Sequence, residues 1–374
     1  MTFRDLKISE PLQNALKNKK YDKPTPIQEK AIPEILTGRD LLGIAQTGTG
    51  KTAAFAIPII EQLIHGAQSR QRNIKALILT PTRELAIQIG DCINDYIKYT
   101  DLKYTVIFGG VSQVSQVKQI KQGTDILVAT PGRLLDLITQ GVIRLDRIAH
   151  FVLDEADRML DMGFIHQIKR LLPLLPQKKQ TLLFSATMPV SIERFSKTIL
   201  NRPARVEVAP VSSVVDTISQ GLYFVEKPDK SKLLVDILGQ DKNKTVLIFS
   251  RTKHGADKIA RVLNKQGLKC EAIHGNKSQV ARQRALTNFK SGKIRVIVAT
   301  DIAARGIDIA NLELVINYDL PDVPETYVHR IGRTGRAGNT GSALTFCSRE
   351  ENDMLKSIQK LTGKKINTVT SVSA

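Results

Sequence analysis

Short β-branched and aliphatic runs alternate with longer segments of helical periodicity along all 374 residues. That rhythm predicts an α/β fold in which parallel sheets are covered by helices on both faces. In the first half the runs fall at 40–45 (DLLGIA), 76–80 (ALILT), 105–109 (TVIFG), 125–130 (DILVAT), 150–155 (HFVLDE) and 181–187 (TLLFSAT). The second half gives 221–225 (GLYFV), 245–250 (TVLIFS), 270–275 (CEAIHG), 294–300 (IRVIVAT), 314–319 (LVINYD) and 342–347 (SALTFC).

The two series are in register. ALILT-PTREL aligns with VLIFS-RTKHG at Thr80 and Ser250, and LVAT-PGR aligns with IVAT-DIAARG at Thr130 and Thr300, both 170 residues apart. One spacing shared by two strand-end motifs predicts tandem domains of one fold, residues 1–208 and 220–361. Val206–Ser219 lacks helical periodicity, which places the linker at 209–219, and the tail 362–374 is expected to be disordered. In open parallel sheets ligands bind at the carboxyl ends of strands, where every motif below is expected to lie.

A chain of this length suffices for two domains, each with its own core. Its longest apolar stretches, such as AAFAIPII at 53–60, are well short of the ~20 residues that cross a bilayer. The charged start MTFRDLKISE does not read as a signal peptide. Cys92, Cys270 and Cys347 form no CxxC pair and are expected to be buried thiols of a reducing cytosol, consistent with a cytoplasmic protein that uses no membrane. The formal net charge is +19, and the segments before and after residue 208 carry +9 and +10. Excess positive charge on both halves points to a polyanion spanning both, against the alternative of a generic basic surface. With no Trp and only 5% aromatic residues, contacts to phosphate and sugar are expected rather than extensive base stacking.

AQTGTGKT, Ala45 to Thr52, follows a strand and opens a helix, the context of a phosphate-binding loop. Gly48 and Gly50 free the backbone to curl around phosphate, Lys51 supplies a cation, and Thr52 offers a hydroxyl to Mg²⁺. Ala45 stands where the generic pattern has Gly, leaving a plain glycine-rich turn as the competing reading. VLDEAD puts Asp154 and Glu155 at a strand end, where Asp154 suits the metal and Glu155 an attacking water. Together the two motifs outline a nucleotide-hydrolysis site.

The second half has no phosphate loop. It has HRIGRTGR, residues 329–336, which looks too poor in apolar groups for a buried strand or an amphipathic helix. Its Arg333 and Arg336 suit the γ-phosphate of an ATP bound by the other domain, with a basic loop on nucleic acid as the alternative.

From Phe3 to about Leu361 the chain resembles the DEAD-box ATP-dependent RNA helicases, and the resemblance implies two tandem RecA-like domains. Phe3 and YDKPTPIQ resemble the upstream adenine-reading element, with Gln28 on the base edge and Tyr21 packed nearby; Lys20 replaces the family's usual Gly. The nucleotide loop is then Ala45, Gln46, Thr47, Gly48, Thr49, Gly50, Lys51 and Thr52, and Ala45 is ordinary for the family. Ser185 and Thr187 of SAT resemble the element coupling hydrolysis to domain closure, and His329 joins the catalytic set. Gly306 and Asp308 of ATDIAARGIDI are implied at the nucleotide, Asp308 facing the ribose.

The resemblance also implies RNA-facing groups. In the first domain these are Pro81, Thr82 and Arg83, Gly109 and Gly110, and Thr130, Pro131, Gly132 and Arg133; in the second they are Arg251, Gln279, Arg282, Thr300 and Asp301. Such groups hold the sugar-phosphate backbone without reading bases. FGGVSQ, RTKHGA and HGNKSQ look most like the bacterial RhlE-type branch, whose members often carry a basic C-terminal extension. The implied protein is a monomeric core that uses ATP and Mg²⁺, closes on single-stranded RNA and separates short duplexes. An RNA clamp with a vestigial ATPase is opposed by the intact set Lys51, Asp154, Glu155, Arg333 and Arg336. A DNA translocase is excluded only by the resemblance, because phosphate contacts do not distinguish the sugars.

Overall fold

The computed structural model describes residues 2–46, 48–66, 72–208, 218–241, 244–304, 312–335 and 341–369. These form two compact units, Met1–Ala209 and Pro210–Ala374. The first holds β1 (Leu41–Ile44), β2 (Ala76–Leu79), β3 (Tyr104–Ile107), β4 (Ile126–Ala129), β5 (His150–Leu153), β6 (Gln180–Ser185) and β7 (Ala204–Glu207). The second holds β8 (Ile218–Phe224), β9 (Val246–Phe249), β10 (Cys270–Ile273), β11 (Val296–Ala299), β12 (Leu314–Asn317), β13 (Gly341–Cys347) and β14 (Asn367–Thr368).

Each unit is a seven-stranded sheet, ordered β3-β4-β2-β5-β6-β1-β7 and β10-β11-β9-β12-β13-β8-β14. Every pairing is parallel. This is the expected doubly covered α/β architecture, in which both faces of each central strand are buried. Ala76 and Ile78 of β2 lie in one apolar core, and Leu77 and Leu79 lie in the other. In β9 the same alternation sends Leu247 and Phe249 to one face and Val246 and Ile248 to the other. The 170-residue spacing holds in the structure for two strand pairs, β9 and β11 beginning 170 residues after β2 and β4. Even the caps repeat: the Thr82 hydroxyl accepts from Leu85 N at 3.3 Å, and that of Thr252 accepts from Gly255 N at 3.0 Å.

Two expectations need correction. The stretch read as linker, 209–219, gives up Ile218 and Ser219 to β8, and Val206 and Glu207 belong to β7. The tail read as disordered contributes β14, which pairs with Gly221 and Leu222 of β8. Both missed strands occupy the same place in their sheets, the edge beyond β1 or β8, where one side of the backbone needs no partner strand. Cys270 and Cys347 are buried as expected, whereas Cys92 is half-buried. Among the described residues no helix is long and apolar enough to cross a membrane.

Candidate active site and nucleic-acid interface

Strand order divides the carboxyl edge of the first sheet in two. Neighbours β5, β6 and β1 present the loops after Leu153, Ser185 and Ile44, while β3, β4 and β2 present those after Ile107, Ala129 and Leu79. Motifs scattered over 140 residues of sequence thereby fall into two adjacent groups.

In the first group, Ala45 N donates to Ser185 O at 3.0 Å and starts the loop that ends in the helix Lys51–His65. Gly50 caps this helix with φ 95°, a left-handed conformation that side chains resist. A Cβ there would also lie 2.3 Å from Gln28 Nε2. Gln28 is buried, donates Nε2 to Gly50 O at 3.1 Å and accepts from Thr25 N at 3.0 Å. The residue expected to read adenine is therefore tied to the phosphate loop. The Thr49 hydroxyl donates to Gln46 O at 2.7 Å beside Gly48, Thr52 is half-buried in the helix's first turn, and buried Lys51 donates Nζ to Ala45 O at 2.8 Å. Phe3 stacks on Tyr21 with ring centroids 6.2 Å apart, and both pack onto the core. Thr47 lies outside the described residues.

Asp154 and Glu155 follow β5 and are both buried. Burial pushes the Asp154 carboxyl up to about 7, with the Lys51 charge opposing and Glu155 adding to the rise. Its Oδ1 is a buried atom with no hydrogen-bond partner among the described residues. Glu155 has φ 56°, a strained conformation for a side chain of its size, and its Oε2 accepts from Arg158 Nη1 at 2.5 Å.

Asp157 and Arg158 are absent from the sequence-derived site. Asp157 Oδ2 accepts from Thr187 N and Thr187 Oγ1, both at 2.9 Å, and from Ala186 N at 3.2 Å. Burial acts to raise its pKa, but the Lys51 charge and the Thr187 hydrogen bonds outweigh it and hold the carboxyl below the usual range. The Ser185 hydroxyl completes the joint, accepting from Asp157 N at 3.3 Å and donating to Thr187 O at 2.7 Å. The third acid of DEAD is thus a clamp on SAT. Its place beside two recognised acids was the only sequence signal available.

The second group gathers PTRELA, GG and TPGR. Gly110 has φ 75°, and a Cβ on it would lie 2.1 Å from Arg83 Nη1, so the guanidinium packs directly on this loop. Arg133 Nη2 donates to Val111 O at 2.9 Å and braces the loop from the other side. Pro81 and Thr82 are buried beneath, and Gly109 is open to a side chain. Thr130 precedes the helix Pro131–Thr139 without a side-chain cap, with Gly132 exposed in its first turn. A helix start of this kind suits a phosphate.

In the second unit two of the expected contact residues make internal bonds. Arg251 donates Nε to Leu320 O at 3.1 Å and Nη2 to Glu351 Oε1 at 2.7 Å. Asp301 gives both carboxylate oxygens to Arg330, at 2.6 and 2.7 Å, and therefore acts by position. That pair corrects the reading of HRIGRTGR. His329, Arg330 and Ile331 end the helix Pro324–Ile331, and Arg330 is fully buried, 5.0 Å from the Phe249 ring centroid. Gly332 to Gly335 follow outside the helix, with Arg333 buried. Gln279 opens the helix Gln279–Lys290, with half-buried Arg282 one turn on, and Thr300 caps the short helix Asp301–Ala304 through its carbonyl. Gly306, Asp308 and Arg336 lie outside the described residues.

Residues 25–195 match the DEAD/DEAH box helicase family, and residues 229–338 match the helicase conserved C-terminal domain. The chain is 42% identical over 367 residues to the DEAD-box ATP-dependent RNA helicase CshA of Bacillus subtilis, covering 98% of this chain and 74% of that protein. Among solved structures it is similar to S. cerevisiae Dbp5 bound to RNA and ADP BeF3, with TM-score 0.87, 32% identity and coverage of 98% and 95%. It is also similar to Mss116p bound to ssRNA and AMP-PNP, with TM-score 0.88, 26% identity and coverage of 100% and 80%. Fold and site together define a two-unit, RecA-like helicase core. The chain belongs to the DEAD-box ATP-dependent RNA helicase family. CshA is a different branch from the RhlE type, so the comparisons support the family and not that branch.

Proposed function

We propose that this ATP-dependent RNA helicase binds ATP at the ends of β5, β6 and β1 and couples its hydrolysis to closure of the two units on single-stranded RNA. The observation carrying the site assignment is the convergence of the phosphate loop, Asp154-Glu155 and Ser185-Ala186-Thr187 on three neighbouring strands, with Asp157 joining the last two. Lys51 turns from the Ala45 carbonyl to the outer phosphates, and Glu155 orients the attacking water and takes its proton. Gln28 selects adenine, since an amide can pair with both N6–H and N7. Phe3 and Tyr21 back that contact.

Mg²⁺ fits this site, because Asp154 offers a buried oxygen without a partner among the described residues and Thr52 a hydroxyl beside Lys51. When bound, it neutralises charge on the phosphate oxygens. Arg333 and Arg336, with His329, complete the site from the second unit, where Gly306 and Asp308 also meet the nucleotide, Asp308 facing the ribose. Ser185 and Thr187 transmit the state of the nucleotide. RNA lies along Arg83, Gly109, Gly110, Thr130 and Arg133 and the corresponding loops of the second unit, held by its backbone. A monomeric core working in the cytoplasm is part of the same proposal.

One closure supplies about 8 to 10 kcal/mol, the range of micromolar to tens-of-nanomolar binding. At about 1.4 kcal/mol per base-pair step, roughly six pairs are disrupted per cycle. Strand displacement on duplexes of increasing length should therefore fall steeply beyond about one to one and a half helical turns, on the same energy argument. A yield constant out to several turns would require a processive translocase instead.

A further inference from the structure

Arg158 is used by no step above, yet its guanidinium is bonded directly to the group assigned as the base. Nη1 of Arg158 lies 2.5 Å from Glu155 Oε2, and the two side chains are only 5% and 3% exposed. The pair spans the first turn of the six-residue helix Ala156–Asp161, and Glu155 enters that turn through a left-handed backbone. One carboxylate oxygen is therefore engaged on the helix's own side, in a bond strengthened by its charge and by exclusion of water.

The same helix is linked to the RNA-facing loops. Phe164 N donates to Met159 O at 2.8 Å, one residue beyond Arg158, and starts the helix Ile165–Leu171. Gln167 on that helix faces Gly132 of TPGR, where a Cβ would lie 3.7 Å from Gln167 Oε1, a buried oxygen without a hydrogen-bond partner among the described residues. A strand lying on Thr130–Arg133 thus meets the helix Ile165–Leu171, which the chain and the Phe164–Met159 bond join to the helix that carries Arg158.

We infer that Arg158 is a positioning residue that holds the Glu155 carboxylate on the helix Ala156–Asp161 until RNA on the TPGR loop shifts that helix and releases it. This rests on Glu155 being the base. Releasing one charge-assisted hydrogen bond before turnover slows the RNA-free reaction by about tenfold or more.

The test is ATP turnover by the whole chain, without RNA and at saturating RNA, for Arg158→Met and Arg158→Lys. Arg158→Met should raise the RNA-free rate about tenfold and leave the RNA-saturated rate within about threefold, so that stimulation collapses. Arg158→Lys, which keeps a counter-charge in the buried site and so protects the fold, should give a smaller rise in the same direction. A brace for the fold would instead lower both rates together; that result, or an unchanged ratio in both variants, overturns the inference. Glu155→Gln run alongside separates the two claims. If it keeps near-normal turnover, the assignment of the base fails and this inference with it. If it is silent while the Arg158 variants gain nothing, only the restraint is wrong.

Discussion

Lys20 ends the helix Glu10–Asn18 with φ 56°. Tyr21 N donates to Leu16 O at 3.0 Å and Lys20 N to Lys17 O at 2.9 Å, the paired bonds of a Schellman cap, whose left-handed residue is usually Gly. The cap aims Tyr21 at Phe3, so the departure at this position is a matter of backbone strain. Lys20→Gly should stabilise the first unit by about 0.5 to 1 kcal/mol, the left-handed penalty less the extra chain entropy of glycine. Denaturant unfolding measures it, and a loss of stability would mean that the Lys20 side chain makes contacts worth more than the strain. At this scale the sequence revealed chemistry better than partners. Arg330 and Arg333 look alike in HRIGRTGR, and only the fold brings Asp301, 29 residues away, against the first of them. Asp157 is hidden from the sequence for the same reason, its partner Thr187 lying 30 residues on.

Among elements, central strands were legible because burial on both faces leaves uninterrupted aliphatic runs such as VLIF at β9. The edge strands were not. In β7 the residues alternate between buried and exposed, and β14 has two exposed residues, so neither shows the apolar run that betrays a central strand. Loops on the second sheet are tied together by a buried network equally hidden from the sequence. Glu351 accepts from Lys230 Nζ at 2.7 Å, Ser348 N at 3.0 Å, Leu320 N at 3.1 Å and Arg251 Nη2 at 2.7 Å. Burial acts to raise its pKa, but the bond from Lys230 and those from the Ser348 and Leu320 amides prevail and hold the carboxyl below its ordinary 4.5. A depressed carboxyl contributes stability that is full above its unfolded pKa and is lost as pH falls through the folded value. Glu351→Gln should therefore cost about 3 kcal/mol near neutrality by leaving Lys230 without its closest counter-charge. The gap between wild type and variant should narrow as pH falls below 4.5. Urea unfolding at both ends of that range checks it; a gap that stays constant or widens in acid would contradict the assigned network.

For the whole molecule, the repeat was readable because two strand-end motifs recur at one spacing, and the positive charge of both halves pointed to a polyanion. Which polyanion was not readable from the residues, since groups such as Arg83 and Arg133 meet phosphates common to RNA and DNA. Family membership supplies RNA, which differs from DNA at the sugar 2′-hydroxyl. In the proposed mechanism, hydrolysis in one unit is coupled to RNA held by both. The most direct test of that coupling is ATP turnover by the intact chain with no nucleic acid, with single-stranded RNA, and with DNA of the same sequence. RNA should raise turnover at least about fivefold, the lower end of ordinary coupling between two sites, and DNA should not. Equal turnover in all three conditions, or equal stimulation by DNA, would contradict it.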